Sequence, residues 1–144
     1  MKELILSWDE VDTGCRALSK LISDESIGGI VAIARGGLCP AGLLSQYLSV
    51  HLIQTLCMHS YDGRVLKELK VLSVPELPTD NANWVVIDDI ADSGDTMRYV
   101  KRAFPGALRM ALVAKPAGKD TVDYFVKEVP QDTWVIFPWE GKVL

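Results

Sequence analysis

Short apolar runs that alternate with amphipathic segments constrain the fold of this chain more than any other feature. Runs of strand length lie at residues 30–34, 84–87 and 108–114, with a further strand expected at 52–58. The periodicity over residues 9–22 predicts a helix capped by Asp9, and two more helices are expected after Pro40 and over residues 96–104. Such alternation indicates an α/β fold with a mostly parallel, twisted sheet flanked by helices. Ligands of these sheets bind beyond the carboxyl ends of the strands, where this chain places its polar turns.

The length and composition suit one domain. With 144 residues and 49% hydrophobic content, the chain can bury a substantial core, so we expect a single domain over residues 1–144. Short apolar pieces over residues 122–144 predict a small hood appended to it. The net charge of -4, without a long run of like charges, argues against a nucleic-acid-binding protein. Three widely spaced cysteines and the lack of a leader-like or membrane-spanning apolar run favour a cytoplasmic location.

A buried strand that ends in two acids and continues through a small-residue turn into a helix carries the clearest chemical signal. The free backbone N–H groups at a helix start can bind phosphate, and Gly94 permits close approach. The hydroxyls of Ser93 and Thr96 add donors. Asp88 and Asp89 can accept from ribose hydroxyls or hold Mg²⁺, directly or through water. The pattern therefore predicts a site for a phosphorylated small molecule.

Each of these residues also has a structural interpretation. Asp92 or Ser93 could cap the following helix, and the two acids of the strand could simply be solvated. Two adjacent acids, a third acid three residues later and a Ser-Gly-x-Thr sequence within one strand-turn-helix are harder to explain by capping. The combination favours a ligand site.

These residues resemble the phosphoribosyl-diphosphate-binding signature of the type I purine phosphoribosyltransferase family. Further matching segments lie at residues 34–38 (Ala-Arg-Gly-Gly-Leu), 60–62 (Ser-Tyr-Asp), 68–72 (Glu-Leu-Lys-Val-Leu), 115–118 (Lys-Pro-Ala-Gly) and 130–134 (Pro-Gln-Asp-Thr-Trp). The resemblance thus extends over nearly the whole chain. It implies a Mg²⁺-dependent enzyme that joins a 6-oxopurine base to 5-phosphoribosyl 1-diphosphate and releases pyrophosphate. Guanine and xanthine are the expected bases, with hypoxanthine as a third candidate.

The resemblance also implies roles at the sugar. The matching substrate-binding residues are Asp88, Asp89, Ile90, Ala91, Asp92, Ser93, Gly94, Asp95 and Thr96. Among them, Asp88 chiefly holds the ribose and Asp89 is the principal metal-binding acid. Asp92 is the candidate general base, which accepts the proton of the purine imidazole.

A second group is expected at the pyrophosphate. The resemblance places Arg35 and Gly36 there and implies a cis peptide bond between Ala34 and Arg35. A loop over residues 61–67 is expected to be poorly ordered without the diphosphate substrate and to close over it. Lys67 matches the basic residue of that loop, with Arg64 as the alternative.

The base is expected to lie beside three residues of the C-terminal part. Lys115 would donate to the 6-oxo group and thereby exclude adenine, Trp134 would stack on the purine, and Val135 would contribute backbone groups. Without the resemblance, a surface lysine and a core aromatic would be the preferred interpretations. Glu140 stands where relatives carry an aspartate, and its role is left open.

One alternative function and several partners remain at this stage. A non-catalytic regulator that senses a nucleotide or phosphoribosyl diphosphate could retain the same fold and pocket. The retained acids, together with Lys115 and Trp134, favour the enzyme. The resemblance further implies a homotetramer and loose peripheral association with the inner face of the cell membrane.

Overall fold

The computed structural model describes residues 2–62 and 67–141, apart from the side chains of residues 60–62 and 67. The strands are β1 (Lys2–Ile5), β2 (Gly29–Ala34), β3 (Ile53–Asp62), β4 (Lys67–Ser73), β5 (Trp84–Ala91), β6 (Leu108–Ala114), β7 (Tyr124–Glu128) and β8 (Thr133–Ile136). The α-helices are α1 (Trp8–Leu21), α2 (Leu38–Leu48) and α3 (Asp95–Ala103), and short 3-10 turns lie at Lys119–Thr121 and Pro138–Glu140. No helix in the described ranges is long and apolar enough to span a membrane.

The main sheet has six strands in the order β4-β3-β2-β5-β6-β7. All neighbours in it are parallel except β3 and β4. Helices α1 and α2 cover one face, where Ile30 and Ala32 of β2 point, and α3 covers the other, where Val31 and Ile33 point. Because β2 is buried on both faces, it reads as a continuous apolar run in the sequence. The predicted α/β fold with a mostly parallel sheet is confirmed.

The helix boundaries differ from the predicted ones in their caps. Ser7, not Asp9, caps α1: its Oγ accepts from the backbone N–H of Glu10 at 3.1 Å, and the Glu10 carboxylate accepts from the Ser7 N–H at 3.4 Å. This reciprocal pair satisfies two free N–H groups, which leaves Asp9 in the first turn. Helix α2 begins at Leu38, before Pro40, because proline tolerates the first helical turn.

The polar stretch predicted to be a loop is flanked by two paired strands. Strand β3 continues to Asp62, and β4 returns antiparallel from Lys67, so only residues 63–66 of the predicted closing loop lie outside the described residues. His59, Glu68 and Lys70 are exposed polar residues of these strands, so the sequence here lacks the continuous apolar run by which a buried strand is recognised. The expectation that the loop over residues 61–67 is poorly ordered without the diphosphate substrate stays a prediction.

The two ends of the described chain form a small second sheet. Strand β7 lies at the edge of the main sheet, whereas β8 pairs in parallel with β1 from the other end of the chain. Of residues 122–144, the structure thus places β7 in the main sheet and β8 in a separate two-stranded sheet with Lys2–Ile5, and the hood over mainly this range stays a prediction. Val135 and Phe137 share one core cluster with Leu6 and Val113, so the small sheet packs on the main one.

Candidate active site

The central strand β5 lies between β2 and β6 and carries both acids of the predicted site. It continues to Ala91, so Asp88 and Asp89 lie within its last half rather than beyond its end. Gly94 follows with a φ of 93° and starts α3 at Asp95. This conformation favours glycine, and a Cβ at position 94 would also lie 2.7 Å from the Thr121 methyl group.

The turn after β5 surrounds a cavity of about 260 Å³. Its lining is the whole predicted stretch from Asp88 to Thr96, joined by Leu69 of β4 and Met97 of α3. The structure therefore brings this group together at the carboxyl end of the sheet, and the roles within it stay predictions. Neither of the two possible cap residues is the N-cap of α3, which is Gly94. Ser93 Oγ accepts from the Asp95 N–H at 3.3 Å, and the Asp92 carboxylate accepts from Lys115 and Gln131.

The two neighbouring acids share an unfavourable electrostatic environment. Both are half-buried, and the Asp89 N–H donates to Asp88 Oδ1 at 2.8 Å. Desolvation, followed by the charge of Asp89, raises the pKa of Asp88 well above its ordinary value. Desolvation also raises the pKa of Asp89, and the negative charge of Glu140 adds to it. A cation at this position would relieve the repulsion.

Glu140, whose role the sequence left open, therefore acts on the pKa of Asp89 through its charge. Its carboxylate Oε2 also accepts from the Phe137 N–H at 3.2 Å, which fixes the turn Pro138–Glu140. The ring of Trp139 stacks on Phe137 at 4.9 Å between centroids. The longer acid thus remains close enough to act on Asp89 through its charge.

The turn after β2 approaches Asp89 directly. The peptide bond between Ala34 and Arg35 is cis, as the resemblance implied. A Cβ at Gly36 would lie 2.2 Å from Asp89 Oδ2, and one at Gly37 would lie 2.4 Å from a backbone carbonyl oxygen of β5. Gly37 is therefore required by close approach to backbone, whereas a side chain at position 36 would have to displace the Asp89 carboxylate. Arg35 is exposed at the same end of the sheet.

The buried Lys115 pairs with Asp92. Its residue is 6% exposed, and its Nζ lies 3.2 Å from Asp92 Oδ2. The Lys115 N–H donates to the Ala91 carbonyl oxygen at 2.9 Å, so the loop after β6 lies on the end of β5. The structural alternative of a solvated surface lysine is wrong, because this ammonium group is buried against a carboxylate.

Gln131 joins the same group, although the sequence assigned it no role. Its Nε2 donates to Asp92 Oδ1 at 2.8 Å, and its Oε1 accepts from the Ala117 N–H at 2.9 Å. A single glutamine 39 residues from its carboxylate partner leaves no local pattern. The only available signal was that it lies in one of the segments that carry the resemblance.

Of the remaining predicted residues, Trp134 and Val135 belong to β8 of the small sheet, and Lys67 and Arg64 have no described side chain. Alternation along β8 leaves Trp134 57% exposed and buries Val135 in the core. Trp134 is therefore not a core aromatic. Lys67 begins β4, but its side chain and the whole of Arg64 lie outside the described residues, so their roles stay predictions.

Known proteins match the chain over its length. The family model of the phosphoribosyl transferase domain matches residues 5–144. A xanthine-guanine phosphoribosyltransferase of Vibrio parahaemolyticus is 38% identical over 99% of this chain and 92% of its own length. One from Nitratidesulfovibrio vulgaris is 41% identical over 96% and 85%. The crystal structure of a purine phosphoribosyltransferase from Pyrococcus horikoshii has a TM-score of 0.85 at 26% identity and covers 100% of this chain and 98% of its own. The chain belongs to the phosphoribosyltransferase family.

Proposed function

We propose that this protein is a purine salvage enzyme that joins guanine or xanthine to 5-phosphoribosyl 1-diphosphate, forming GMP or XMP and pyrophosphate. Hypoxanthine is a third candidate base. The observation that carries the proposal is one arrangement: a phosphate-sized turn and two acids line a cavity, and a buried lysine is paired with the carboxylate of that turn. Relatives named for the same reaction support it.

The substrate's 5'-phosphate would lie at the start of α3. Gly94 permits close approach, while the helix dipole and the hydroxyls of Ser93 and Thr96 attract the anion. Asp88 would then accept from the ribose hydroxyls. Gly36 lies against Asp89, and pyrophosphate would leave on this side, bound by the Arg35 guanidinium and the amides of the turn.

Mg²⁺ fits the acids of this cavity as a substrate-borne ion. Among residues 2–62 and 67–141, no group of three or more His, Cys, Asp or Glu side chains could form a metal site by itself. Mg²⁺ commonly binds through one or two carboxylates together with substrate phosphates, and Asp89 is our choice for the principal ligand. When bound, the ion would neutralise charge on the diphosphate.

The Lys115–Asp92 pair complements one edge of a 6-oxopurine. That edge carries the 6-oxo acceptor beside an imidazole N–H, while the pair offers an ammonium donor beside a carboxylate acceptor. Adenine places an amino group where the oxo group would be, so two hydrogen-bond donors would face each other at a buried position. The exposed Trp134 ring would stack on the base.

The reaction needs no covalent enzyme intermediate. A purine nitrogen attacks the anomeric carbon, the bond to the diphosphate oxygen breaks, and its electron pair leaves with pyrophosphate. Asp92 accepts the imidazole proton, and the remaining residues orient the substrates and exclude water.

Turnover assays separate this enzyme from a non-catalytic sensor. The protein is incubated with 5-phosphoribosyl 1-diphosphate, Mg²⁺ and each purine in turn, and nucleotide and pyrophosphate are measured. We expect equal amounts of both products with 6-oxopurines and none with adenine. Tight binding of the diphosphate without turnover of any base would favour the sensor.

The same proposal includes a cytoplasmic location and a homotetramer. Sedimentation at several protein concentrations tests the tetramer. Loose attachment to the inner face of the membrane stays a prediction, which cosedimentation with anionic vesicles would check.

A further inference from the structure

Three segments that are distant in sequence meet at the carboxylate of Asp92. Asp92 follows β5, the Lys115–Gly118 loop follows β6, and Gln131 precedes β8. A Cβ at Gly118 would lie 2.3 Å from the Ala91 carbonyl oxygen, so the loop lies directly on the backbone before Asp92. The position of Asp92 therefore depends on how the two later segments are held.

The two oxygens of the carboxylate have different partners. Lys115 Nζ lies 3.2 Å from Oδ2, and Gln131 Nε2 donates to Oδ1 at 2.8 Å. A carboxylate held at both oxygens cannot rotate about its terminal bond without breaking one of these contacts. Asp92 itself is only half-buried, so packing alone does not fix its orientation.

The orientation of the Gln131 amide is determined by its surroundings. Its Oε1 accepts from the Ala117 N–H at 2.9 Å, while Nε2 also lies 3.4 Å from the Asp92 carbonyl oxygen. The opposite orientation would place an oxygen against a carboxylate and an NH₂ group against an N–H donor. Gln131 therefore bridges the loop of Lys115 to the turn of Asp92 in one direction only.

We propose that Gln131 is a positioning residue that orients the Asp92 carboxylate for proton acceptance from the purine. The catalytic consequence rests on the proposed function. Lys115 has three N–H donors and must divide them between the base and Asp92, whereas Gln131 directs its amide donor to Asp92 and holds the carboxylate throughout. Its effect should be on kcat, because the orientation matters as the imidazole proton moves.

Two substitutions of Gln131 separate positioning from loop support. Gln131→Glu keeps an oxygen that can accept from the Ala117 N–H, but it replaces the donor to Asp92 with a second negative charge. Gln131→Ala removes both contacts. The control is Asp132→Asn at the exposed neighbouring position. The measurements are kcat and KM for guanine and for the diphosphate, together with the Tm of each variant.

Positioning predicts a specific order of turnover. We expect kcat to fall about 3- to 10-fold in Gln131→Ala and further in Gln131→Glu, because one charge-assisted hydrogen bond at an exposed site is lost and then replaced by repulsion. The KM for the diphosphate should change less than about 2-fold, and Asp132→Asn should match the wild type. Wild-type turnover in Gln131→Glu, with or without a defect in Gln131→Ala, would overturn the proposal.

A second measurement on the free protein does not need turnover. The ¹³Cγ resonance of Asp92, assigned by its loss in Asp92→Asn, should shift in both Gln131 variants and stay unchanged in Asp132→Asn. A wild-type protein without turnover would refute the proposed function while this resonance still tests the contact. An unchanged resonance in both Gln131 variants would overturn the positioning role whatever the activity.

Discussion

The α-carbon of Gly36 lies directly against the carboxylate of Asp89, so that a methyl group at position 36 would stand 2.2 Å from Oδ2. These residues belong to different strand ends, β2 and β5, which are neighbours in the sheet. The contact links the turn proposed to bind pyrophosphate with the acid proposed to hold the metal. The space between them leaves no room for a side chain at position 36.

Gly36→Ala should therefore damage the site rather than the fold. The new methyl group must displace the Asp89 carboxylate, and we expect turnover to fall about 10²-fold, as for other small displacements of catalytic groups. Gly42→Ala is the matched control, because a Cβ there meets nothing within 4 Å and alanine favours a helix interior. Steady-state kinetics and Tm on both variants test this. Near wild-type turnover in Gly36→Ala would contradict the proposed link.

Asp89→Asn tests the metal assignment. Loss of the charge should weaken binding of Mg²⁺ in the presence of the diphosphate and lower turnover by roughly 10²-fold, because the developing charge of pyrophosphate would lose its counter-ion. Titration calorimetry measures the binding of Mg²⁺, and the rate at several Mg²⁺ concentrations measures turnover. Asp120→Asn, at an exposed position, is the control. If Asp89→Asn keeps the wild-type Mg²⁺ dependence and turnover, the metal lies elsewhere.

Asp88→Asn should stabilise the protein at neutral pH while impairing ribose binding. Burial raises the pKa of Asp88 in the folded state, so the folded chain binds the proton more tightly than the unfolded chain. The resulting stability is present below the unfolded pKa of about 4 and is lost as pH rises through the raised folded pKa. The amide in the Asp88→Asn variant does not ionise, so the variant does not lose this stability at neutral pH.

The measurement is Tm as a function of pH for Asp88→Asn, the wild type and Asp120→Asn. We expect Asp88→Asn to melt above the wild type at pH 7.5 by roughly 2–4 °C per kcal/mol gained, with the difference shrinking toward pH 4. A variant that melts below the wild type at pH 7.5 would show that the ionised acid is favourably held.

Lys115→Ala should reduce efficiency on 6-oxopurines far more than any residual activity on adenine. The lost donor is buried, and sites of this kind reject a mismatched analogue by as much as ~10⁴-fold. The exposed Lys119→Ala is the control for a general loss of positive charge. The measurement is kcat/KM of the wild type and both variants for guanine, xanthine, hypoxanthine and adenine. Comparable wild-type efficiency on adenine and guanine would refute the donor assignment.

Trp134→Ala should weaken all purines by similar factors. Its indole is exposed beside the base region, and stacking does not distinguish the substituents at the purine 6-position. We expect a rise in KM for each base of about 10-fold, the upper end of the energy of one aromatic pair. A strongly base-dependent loss would mean that Trp134 reads the edge of the purine rather than its face.

The sequence by itself determined the parts of this protein that depend on local pattern. Continuous apolar runs such as residues 30–34 identified buried parallel strands, because strands covered on both faces have no polar side. The strand-turn-helix from Asp88 to Thr96 identified most of the cavity, because nearly its whole lining is contiguous in the chain. Polar strand ends also pointed to the edge of the sheet at which this cavity lies.

Tertiary structure decided the contacts between residues that are far apart in the chain. These contacts join positions whose separation leaves no periodic signal in the sequence. Examples are the Asp92–Gln131 contact, the close approach of Gly36 to Asp89 and the pairing of β1 with β8. The pairing of β3 with β4 also was not predicted. These strands are joined by backbone hydrogen bonds, which do not depend on the side chains, and their exposed polar residues form no apolar run in the sequence. Local patterns specify which residues are buried, whereas the meeting of three chain segments at one carboxylate is a property of the packed sheet.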